Sequence, residues 1–254
     1  MIGIIGYGFV GKAVANGFQH TTKLVSDPAY NDVTIEDVVK ENPEAIFVCL
    51  PTPSDDTDYV ILKTALDKIK ELDYEGITVV KSTILPHHIE DYDIVLNPEF
   101  LSRATANNDF INPPFVLYGG EIDKCKRLNT IYEKYSDVDL TNVTYTDVKT
   151  ASLAKYTFNS FYAVKLIYMN SLYDITQEIG VSFEELKKVL KMNPWMMGVS
   201  HLDVPGHEGR GFAGPCLPKD TKALAEQFDV ELLHKILEIN TKYRNEDNNG
   251  SNWS

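Results

Sequence analysis

A glycine-rich turn near the N-terminus constrains the fold of this chain more than any other feature. Gly6, Gly8 and Gly11 directly follow the apolar run 1–5, and a helical pattern begins within the same segment, at 10–20. In a strand–turn–helix unit the first glycine permits the tight turn, the second lets backbone amides approach a pyrophosphate, and the third lets the helix lie close to the strand. The spacing therefore predicts a dinucleotide site made by Gly6, Gly8, Phe9, Val10 and Gly11.

An acidic residue at the end of the second predicted strand indicates which dinucleotide is bound. Asp27 follows the strand-like run 23–26. Its carboxylate can accept hydrogen bonds from the adenosine ribose and would repel a 2′-phosphate, so NAD is favoured over NADP. Asp27 also precedes Pro28, where an aspartate can instead serve to form a turn. Both interpretations of Asp27 stay open at the level of sequence.

Short apolar runs alternate with helical patterns through the first half of the chain. In order, the segments are 1–5, 10–20, 23–26, 34–40, 45–50, 60–72 and 77–80. This alternation predicts βαβ units around a parallel sheet. Two further strands, 93–96 and 115–118, extend the sheet, and the polar segment 97–114 between them is predicted to be irregular. Residues 1–146 are accordingly predicted to form an α/β, Rossmann-type NAD-binding domain.

A long helical pattern that begins at Asp147 changes the character of the chain. It contains no proline or glycine until Gly180 stops it. Shorter helical patterns follow, one that opens at Ser182 and two more at 221–227 and 230–243. We therefore predict that residues 147–244 form a long connecting helix and a small all-helical central domain. The polar residues 245–254 are predicted to be a disordered tail.

The charge of the chain excludes some classes of partner. The formal net charge of −13 over 254 residues opposes attraction to nucleic acid phosphates and to anionic lipid, so neither is an expected partner. No apolar run approaches the roughly 18 residues of a membrane span. The three cysteines show no paired metal spacing and fit a reducing compartment, so we expect no metal and a cytoplasmic address.

One of the three cysteines lies in a segment that suits covalent chemistry. Cys216 stands in the run Gly-Phe-Ala-Gly-Pro-Cys-Leu-Pro-Lys-Asp at 211–220. A thiol among glycines and prolines, followed by a lysine and a carboxylate, can be held exposed and partly ionised. Cys49 lies in an apolar strand and is predicted to pack in the core, while Cys125 lies on an amphipathic helix.

Further motifs follow the glycine turn in order. They are Cys-Leu-Pro-Thr-Pro at 49–53, Lys-Ser-Thr at 81–83, Asn-Pro-Glu-Phe-Leu at 97–101, Lys-Tyr-Thr-Phe-Asn at 155–159 and the cysteine segment. Together they resemble the UDP-glucose/GDP-mannose dehydrogenase family over residues 1–243. The resemblance implies the cofactor domain and the central helical domain of that family. Members usually continue with a C-terminal sugar-nucleotide-binding domain, which we expect this chain to lack.

The resemblance implies an enzyme that oxidises the C6 alcohol of a nucleotide sugar, UDP-glucose-like, to a carboxylate with two NAD⁺ and no release of the aldehyde. Cys216 would attack the aldehyde to give a thiohemiacetal, loss of hydride would give a thioester, and water would release the acid. A polarizable thiolate suits these steps. The family pairs its central helices, so a homodimer is also implied.

The other site residues take their roles from the same resemblance. Lys155 and Asn159 are four residues apart on the long helix, so they project from one face, and they would stabilise the oxyanion. Asp220 would activate a water together with Thr83, and Glu99 would serve thioester hydrolysis as a general base. The cofactor residues added by the resemblance are Pro51, Thr52 and Lys219.

Two departures weaken the match to the family. The usual Arg-Glu-Gly run after Pro-Glu-Phe-Leu is replaced by Ser102-Arg103-Ala104, so a base stands where an acid is common. The segment 193–198, which contains Met196, lacks the arginine that reaches the sugar nucleotide in the family. Arg210 is nearby in sequence and could compensate.

Two other functions stay open at this level. One is a single-step, NAD-dependent dehydrogenase of a hydroxy acid or sugar acid, in which Lys155 and Asn159 act and Cys216 does not. The other is a non-catalytic NAD-binding remnant, which would bind the cofactor without turnover.

Overall fold

The structure is a computed structural model that describes residues 1–53, 59–193, 201, 203–206 and 209–248, with the backbone alone at 247 and 248. The chain forms two compact units that divide between Lys155 and Tyr156. This division falls inside a long helix, whereas the predicted boundary at 146/147 lies at the start of that helix. The domain boundary stays a prediction.

Among the residues that the structure describes, the first unit contains a seven-stranded sheet. Its strands are β1 (Ile2–Ile5), β2 (Lys23–Ser26), β3 (Ala45–Val48), β4 (Ile77–Val80), β5 (Val95–Leu96), β6 (Val116–Gly119) and β7 (Val143–Thr146). They lie in the order β2-β1-β3-β4-β5-β6-β7, and all neighbouring pairs are parallel except β5 and β6. Every residue of β1, β3, β4 and β6 is buried, as expected for parallel strands covered on both faces. The predicted Rossmann-type α/β fold is confirmed.

Helices connect these strands. They are α1 (Phe9–Gly17), α2 (Ile35–Lys40), α3 (Val60–Glu71), α4 (Ala106–Ile111) and α5 (Ile122–Tyr135), and a short 3-10 helix covers Pro86–His88. The start of α2 is fixed by a reciprocal cap. Thr34 Oγ1 accepts the backbone N–H of Asp37 at 3.1 Å, and Asp37 Oδ2 accepts the backbone N–H of Thr34 at 2.9 Å. The pair satisfies two donors that a helix start leaves free.

The prediction that 97–114 is irregular was wrong, because α4 lies within this segment. Packing explains the helix. Phe110 of α4 is buried, with its ring centre 6.5 Å from that of Phe18 and 6.3 Å from that of Tyr132. A Cβ on Gly17 of α1 would lie 2.3 Å from the Phe110 ring, so glycine leaves the room that α4 needs to pack on α1.

The other helices in the described ranges are α6 (Val148–Ile179), which begins in the first unit and continues into the second, α7 (Phe183–Lys191), α8 (Leu217–Phe228) and α9 (Glu231–Asn248). The main apolar core of the second unit consists of Ala163, Leu166, Ile167, Phe212, Ile236 and Tyr243. The predicted long helix is confirmed, and the regular elements that the structure describes in the second region are helices. Helix α9 occupies 245–248 of the predicted tail, and 249–254 lie outside the described residues. None of the helices in the described part of the chain has both the length and the apolar character that crossing a bilayer requires.

Candidate active site

Gly6 and Gly11 allow the backbone to approach itself more closely than a side chain would permit. Gly6 has a φ of +89°, and a Cβ on it would lie 2.8 Å from the carbonyl oxygen of Cys49, directly after β3. A Cβ on Gly11 would lie 2.1 Å from the carbonyl oxygen of Gly6. Both glycines are therefore required by the turn between β1 and α1.

Gly8 differs from these two because it faces open space. Within the described residues, no heavy atom lies within 4 Å of a Cβ built on Gly8, which is exposed and forms the N-cap of α1. A helix start leaves backbone N–H groups without partners in the helix, and Gly8 has no side chain with which to cap them. Room and amide donors are what the diphosphate of a dinucleotide needs, so the turn fits an NAD molecule.

Asp27 lies at the end of β2, beside the glycine turn. Its carboxylate accepts the backbone N–H of Tyr7 at 2.5 Å and that of Ala29 at 2.8 Å. The bond to Ala29 is the turn-forming role, and the bond to Tyr7 brings the carboxylate to the glycine turn. Both interpretations of Asp27 thus have a structural basis, and the ribose contact stays a prediction.

The loops after β3 and β4 start at the same edge of the sheet as the glycine turn, because these strands are parallel to β1. Pro51 is exposed and Thr52 is buried after β3, and Thr83 is half-buried after β4. Ser82 Oγ donates to the carbonyl oxygen of Leu50 at 2.7 Å, which ties the two loops together. The predicted roles of Pro51, Thr52 and Thr83 stay predictions.

Glu99 and Lys155 form a buried ion pair in the first unit. Glu99 Oε1 lies 3.4 Å from Lys155 Nζ, and both side chains are less than a tenth exposed. Glu99 Oε2 accepts the backbone N–H of Leu101 at 2.7 Å, and Lys155 Nζ lies 5.3 Å from the centre of the Phe100 ring. The fold thus brings together two predicted catalytic residues that are far apart in sequence.

A second buried lysine, Lys81, is a functional candidate that its motif alone did not single out. Its Nζ donates to Asn97 Oδ1 at 3.0 Å and lies 5.4 Å from the centre of the Phe110 ring. Burial lowers the pKa of Lys81 to about 8, against the opposing charge of Glu99. The available signal was its position directly after the buried strand Ile-Thr-Val-Val, where the chain is still inside the protein.

Asp220 is the centre of a buried polar cluster in the second unit. It is 1% exposed, and its two carboxylate oxygens are bonded by the Asn159 side-chain amide and by Lys219 Nζ. The predicted catalytic residues Asn159 and Asp220 are therefore brought together from α6 and α8. Lys219, which we expect at the cofactor, is paired with Asp220 in this structure, and its cofactor role stays a prediction.

Cys216 stands at the N-terminus of α8, one turn before Asp220. It is half-buried and is the N-cap residue, and its carbonyl oxygen accepts the backbone N–H of Asp220 at 2.9 Å. A helix N-terminus favours a thiolate through its dipole and its free N–H groups. Cys49 and Cys125 are buried, and burial raises the pKa of these thiols to about 12 and about 11. Core packing of Cys49 is confirmed. Cys216 is the one of the three cysteines that is not buried, and its catalytic role stays a prediction.

Two asparagines hold the loop that leads to Cys216. The backbone N–H of Phe212 donates to Asn240 Oδ1 at 2.7 Å, and Asn240 Nδ2 donates back to the carbonyl oxygen of Phe212 at 3.0 Å. The backbone N–H of Gly211 donates to Asn170 Oδ1 at 3.1 Å. In the sequence neither asparagine can be distinguished from an ordinary polar helix residue, so sequence reasoning missed both anchors.

The suggestion that Arg210 compensates for the missing arginine was wrong. Its guanidinium is buried, with Asp174 Oδ1 at 2.6 Å and Glu246 Oε2 at 3.1 Å, and it lies 4.3 Å from the centre of the Tyr243 ring. Its donors are thus used by two carboxylates and by the Asn170 side-chain oxygen of the second unit. Arg103 is exposed, with its guanidinium 5.7 Å from the centre of the Phe9 ring, and the segment around Met196 lies outside the described residues.

The contrast between Gly8 and Gly11 predicts two different defects. Gly8→Ala should fold with nearly wild-type stability, because its Cβ meets open space and its φ is −70°. Its methyl group should weaken NAD binding by about tenfold or more, because it occupies the side from which a pyrophosphate approaches. Gly11→Ala should unfold at lower urea, because its Cβ meets backbone. Calorimetric titration with NAD⁺ and urea unfolding would check both, and unchanged NAD affinity in Gly8→Ala would contradict the assignment.

The pKa of Lys81 predicts how stability depends on pH. The folded value of about 8 lies below the ordinary value of 10.5, so the unfolded chain binds more protons between these pH values. The free energy of unfolding should therefore rise with pH from about 8 to 10.5, by about 3 kcal/mol at most. Urea unfolding of wild type and Lys81→Met at pH 7, 8.5 and 10 would measure it. Wild type should gain stability relative to the variant as pH rises, and a constant difference would refute the low pKa.

Two models of one family match the chain. The NAD binding domain of the UDP-glucose/GDP-mannose dehydrogenase family matches residues 30–136, and the central domain of the same family matches residues 149–242. The first match begins after the glycine turn, so the turn is supported by the geometry given above rather than by this match.

Curated relatives and solved structures of the same family are also similar to this chain. UDP-glucose 6-dehydrogenase of Rickettsia felis is 30% identical over 221 residues, which are 79% of this chain and 48% of that protein. The chain spans about half the length of the curated relatives it matches. A UDP-glucose dehydrogenase structure from Pyrobaculum islandicum has a TM-score of 0.78 at 21% identity and covers 95% of this chain and 68% of that one.

A 3-hydroxyisobutyrate dehydrogenase structure from Mycobacterium tuberculosis has a TM-score of 0.70 at 13% identity and covers 97% of this chain and 94% of that one. The likenesses to these two structures show the fold alone. The two family models together cover most of the residues on which the site is built. The chain therefore belongs to the UDP-glucose/GDP-mannose dehydrogenase family, with NAD as its cofactor.

Proposed function

We propose that the chain functions in the NAD-dependent oxidation of the C6 alcohol of a nucleotide sugar, UDP-glucose-like, to the carboxylate. The observation that carries this proposal is Cys216 at the N-terminus of α8, one turn before the buried Asp220 that Asn159 and Lys219 hold. A thiol in this setting suits covalent capture of an aldehyde, which an oxidation that stops after one step does not require. Family membership supports the substrate class.

Cys216 acts between the two oxidations. The C6 alcohol loses a proton and a hydride and becomes an aldehyde, and bound NAD⁺ supplies the hydride acceptor in each oxidation. Cys216 Sγ adds to the aldehyde carbon, and the resulting thiohemiacetal loses its hydroxyl proton and the second hydride and becomes a thioester. Water then attacks the thioester carbon, the C–S bond breaks, the carboxylate leaves and the sulfur is again a thiolate.

The Glu99–Lys155 pair places a proton acceptor next to a cation. In the proposed reaction Lys155 Nζ and the Asn159 amide stabilise the negative oxygen of the alkoxide and of the tetrahedral intermediate. Glu99 takes the proton of the water that attacks the thioester. The opposite charges of Glu99 and Lys155 offset each other, so neither group is buried as a lone charge.

Asp220 is proposed to orient a water molecule together with the Thr83 hydroxyl. The bonds from Asn159 and Lys219 hold its carboxylate in one place, which an orienting group needs. Lys219 is also proposed to contact the cofactor, and Asp27 to bind the adenosine ribose of NAD.

Single-step oxidation of a hydroxy acid or sugar acid is a second candidate, and one observation favours it. The likeness to 3-hydroxyisobutyrate dehydrogenase covers 94% of that protein, so this chain has nearly the whole extent of that fold. In this case Lys155 and Asn159 bind the substrate and Cys216 takes no part. The two candidates differ in how many NADH they form for each substrate molecule.

Cys216→Ser tests the covalent step. With a UDP- or GDP-sugar that is turned over, wild type should form two NADH per substrate, and hydroxylamine should trap the thioester as a hydroxamate. Cys216→Ser should stop after at most one NADH, because a serine hydroxyl is a poorer nucleophile than a thiolate. NADH would be followed by absorbance and the product by mass spectrometry.

Cys125→Ala is the matched control for this experiment, because Cys125 is a buried thiol of the first unit. It should keep the ratio of two NADH per substrate. A Cys216→Ser variant that still forms two NADH would exclude the covalent mechanism. Wild-type turnover of a hydroxy acid with one NADH, and of no sugar nucleotide, would favour the second candidate.

A homodimer through α6 is part of the same proposal. Four of the five exposed large apolar side chains of this helix lie at spacings of seven, seven and four residues: Phe161, Tyr168, Ile175 and Ile179. These spacings place them along one side of the helix. A stripe of this kind in water favours burial against a partner, and two copies of the same stripe can bury each other.

A charge in the stripe should break the dimer. Ile175→Glu is expected to shift the protein from dimer to monomer in size-exclusion chromatography with light scattering, because a carboxylate would be buried opposite its own copy. Ile122→Glu is the control, since Ile122 is similarly exposed but lies on α5 of the first unit. A wild-type monomer at micromolar concentration would contradict the proposed interface.

A further inference from the structure

Lys81 is a buried cation to which the proposed reaction gives no role. It directly follows β4, where its backbone N–H donates to the carbonyl oxygen of Val48 at 2.9 Å, and the residue is 4% exposed. An ammonium group in such a place loses hydration that a surface lysine keeps. A lysine at this buried position therefore indicates an interaction that an apolar side chain could not make.

The ammonium group of Lys81 is bonded to a residue that is fixed on several sides. Asn97 Oδ1 accepts Lys81 Nζ at 3.0 Å and the Tyr132 hydroxyl at 2.7 Å. Asn97 Nδ2 donates to the carbonyl oxygen of Leu117 at 2.9 Å, and the Asn97 backbone N–H donates to that of Val80 at 2.9 Å. Asn97 is therefore the fixed point from which the loop after β5 begins.

Glu99 is two residues beyond this fixed point. Pro98 restricts the backbone of Asn97 to extended conformations, which limits where Glu99 can lie. Glu99 is then held by the backbone N–H of Leu101 at 2.7 Å and by Lys155 Nζ at 3.4 Å. Lys81, Asn97 and Glu99 also line one cavity of about 40 Å³, which has room for about two water molecules.

We propose that Lys81 is a positioning residue for Glu99: its ammonium group, through Asn97, keeps the loop in the conformation that places the Glu99 carboxylate against Lys155. The consequence for catalysis rests on the proposed function, in which Glu99 activates the hydrolytic water. The consequence for the loop does not.

The charge of Lys81 gives this role a dependence on pH. The titratable groups that face it are Cys49 after β3, Glu99 in the loop after β5, Asp109 on α4, Tyr132 on α5 and Lys155 on α6. Burial lowers the pKa of Lys81 to about 8. Above this pH the neutral amine is a weaker donor to Asn97, so the position of Glu99 should loosen as pH rises through about 8.

Three variants of the whole chain separate the possible outcomes. Lys81→Met keeps the length of the side chain without its charge, and Lys81→Arg keeps a charge that does not titrate below pH 12, with the 40 Å³ cavity to receive the larger group. Lys23→Met is the control, because Lys23 Nζ also donates to a buried backbone oxygen, that of Phe18 at 2.7 Å, but at the start of β2. Thermal unfolding establishes that each variant folds.

The first measurement is the hydrogen-exchange protection of the Leu101 amide, whose acceptor is Glu99 Oε2. At pH 7, Lys81→Met should lose protection about tenfold, while Lys81→Arg and Lys23→Met should match wild type. Between pH 7 and pH 9 wild type should lose protection and Lys81→Arg should not. Unchanged protection in Lys81→Met would overturn the proposal, whatever the protein does with substrates.

The second measurement is the rate of acid release from a sugar nucleotide as a function of pH. Wild type should slow as pH rises through about 8. Lys81→Arg should keep the rate and lose this alkaline decline, and Lys81→Met should be slow at every pH, with the KM for NAD⁺ unchanged. A decline that persists in Lys81→Arg would overturn the role of the Lys81 charge. If wild type releases no acid while Leu101 behaves as expected, the proposed function fails and the positioning role stands.

Discussion

Buried charge is the constraint on which the candidate site depends. Lys81, Lys155 and Arg210 are each almost fully buried, and each is bonded to an oxygen of this chain, on Asn97, Glu99 or Asp174. Removing a lone charge from water costs several kcal/mol, and a partner offsets this only when it is held in place. The loops that carry the polar groups are therefore fixed by the same bonds that form the site. If one partner were removed, the remaining buried charge would lose the interaction that offsets its desolvation. Substitutions at these positions should therefore destabilise the fold.

The parallel sheet explains why these groups meet in the first unit. Each of the first five strands has a candidate residue just beyond its carboxyl end: Gly6 and Gly8 after β1, Asp27 after β2, Thr52 after β3, Lys81 and Thr83 after β4, and Asn97 and Glu99 after β5. Parallel strands present their carboxyl ends at one edge, where ligands bind in this class of fold. Strand β6 is antiparallel to β5, so its carboxyl end lies at the opposite edge, and no candidate residue follows it. The change of strand direction at β6 therefore ends the series of candidate residues along this edge of the sheet.

The parts of the fold that could be predicted are those with a local pattern. Fully buried strands leave short continuous apolar runs, the long helix leaves a helical pattern without glycine or proline, and the glycine turn has its own spacing. Helix α4 and strand β7 lack such a pattern. Helix α4 has one buried residue, Phe110, and forms because Gly17 of α1 leaves room for it. Strand β7 is half-exposed and lies at the edge of the sheet. Lys81, Asn170 and Asn240 could not be assigned because their partners are between 16 and 41 positions away. A hydrogen bond over such a distance has no local pattern, and only the folded chain defines it.

The setting of Cys216 bears on the choice between the two chemistries. A cysteine that only fills space lies among apolar side chains, as Cys49 and Cys125 do. Cys216 is half-buried at a helix start, and two asparagines of other helices hold the glycine-rich loop before it. Fixing such a loop costs backbone entropy that side-chain amide bonds return only in part. A single hydride transfer gains nothing from a fixed thiol. A reaction through a thiohemiacetal does benefit from a fixed thiol, because the carbon bonded to sulfur must keep its place and orientation until the second hydride leaves.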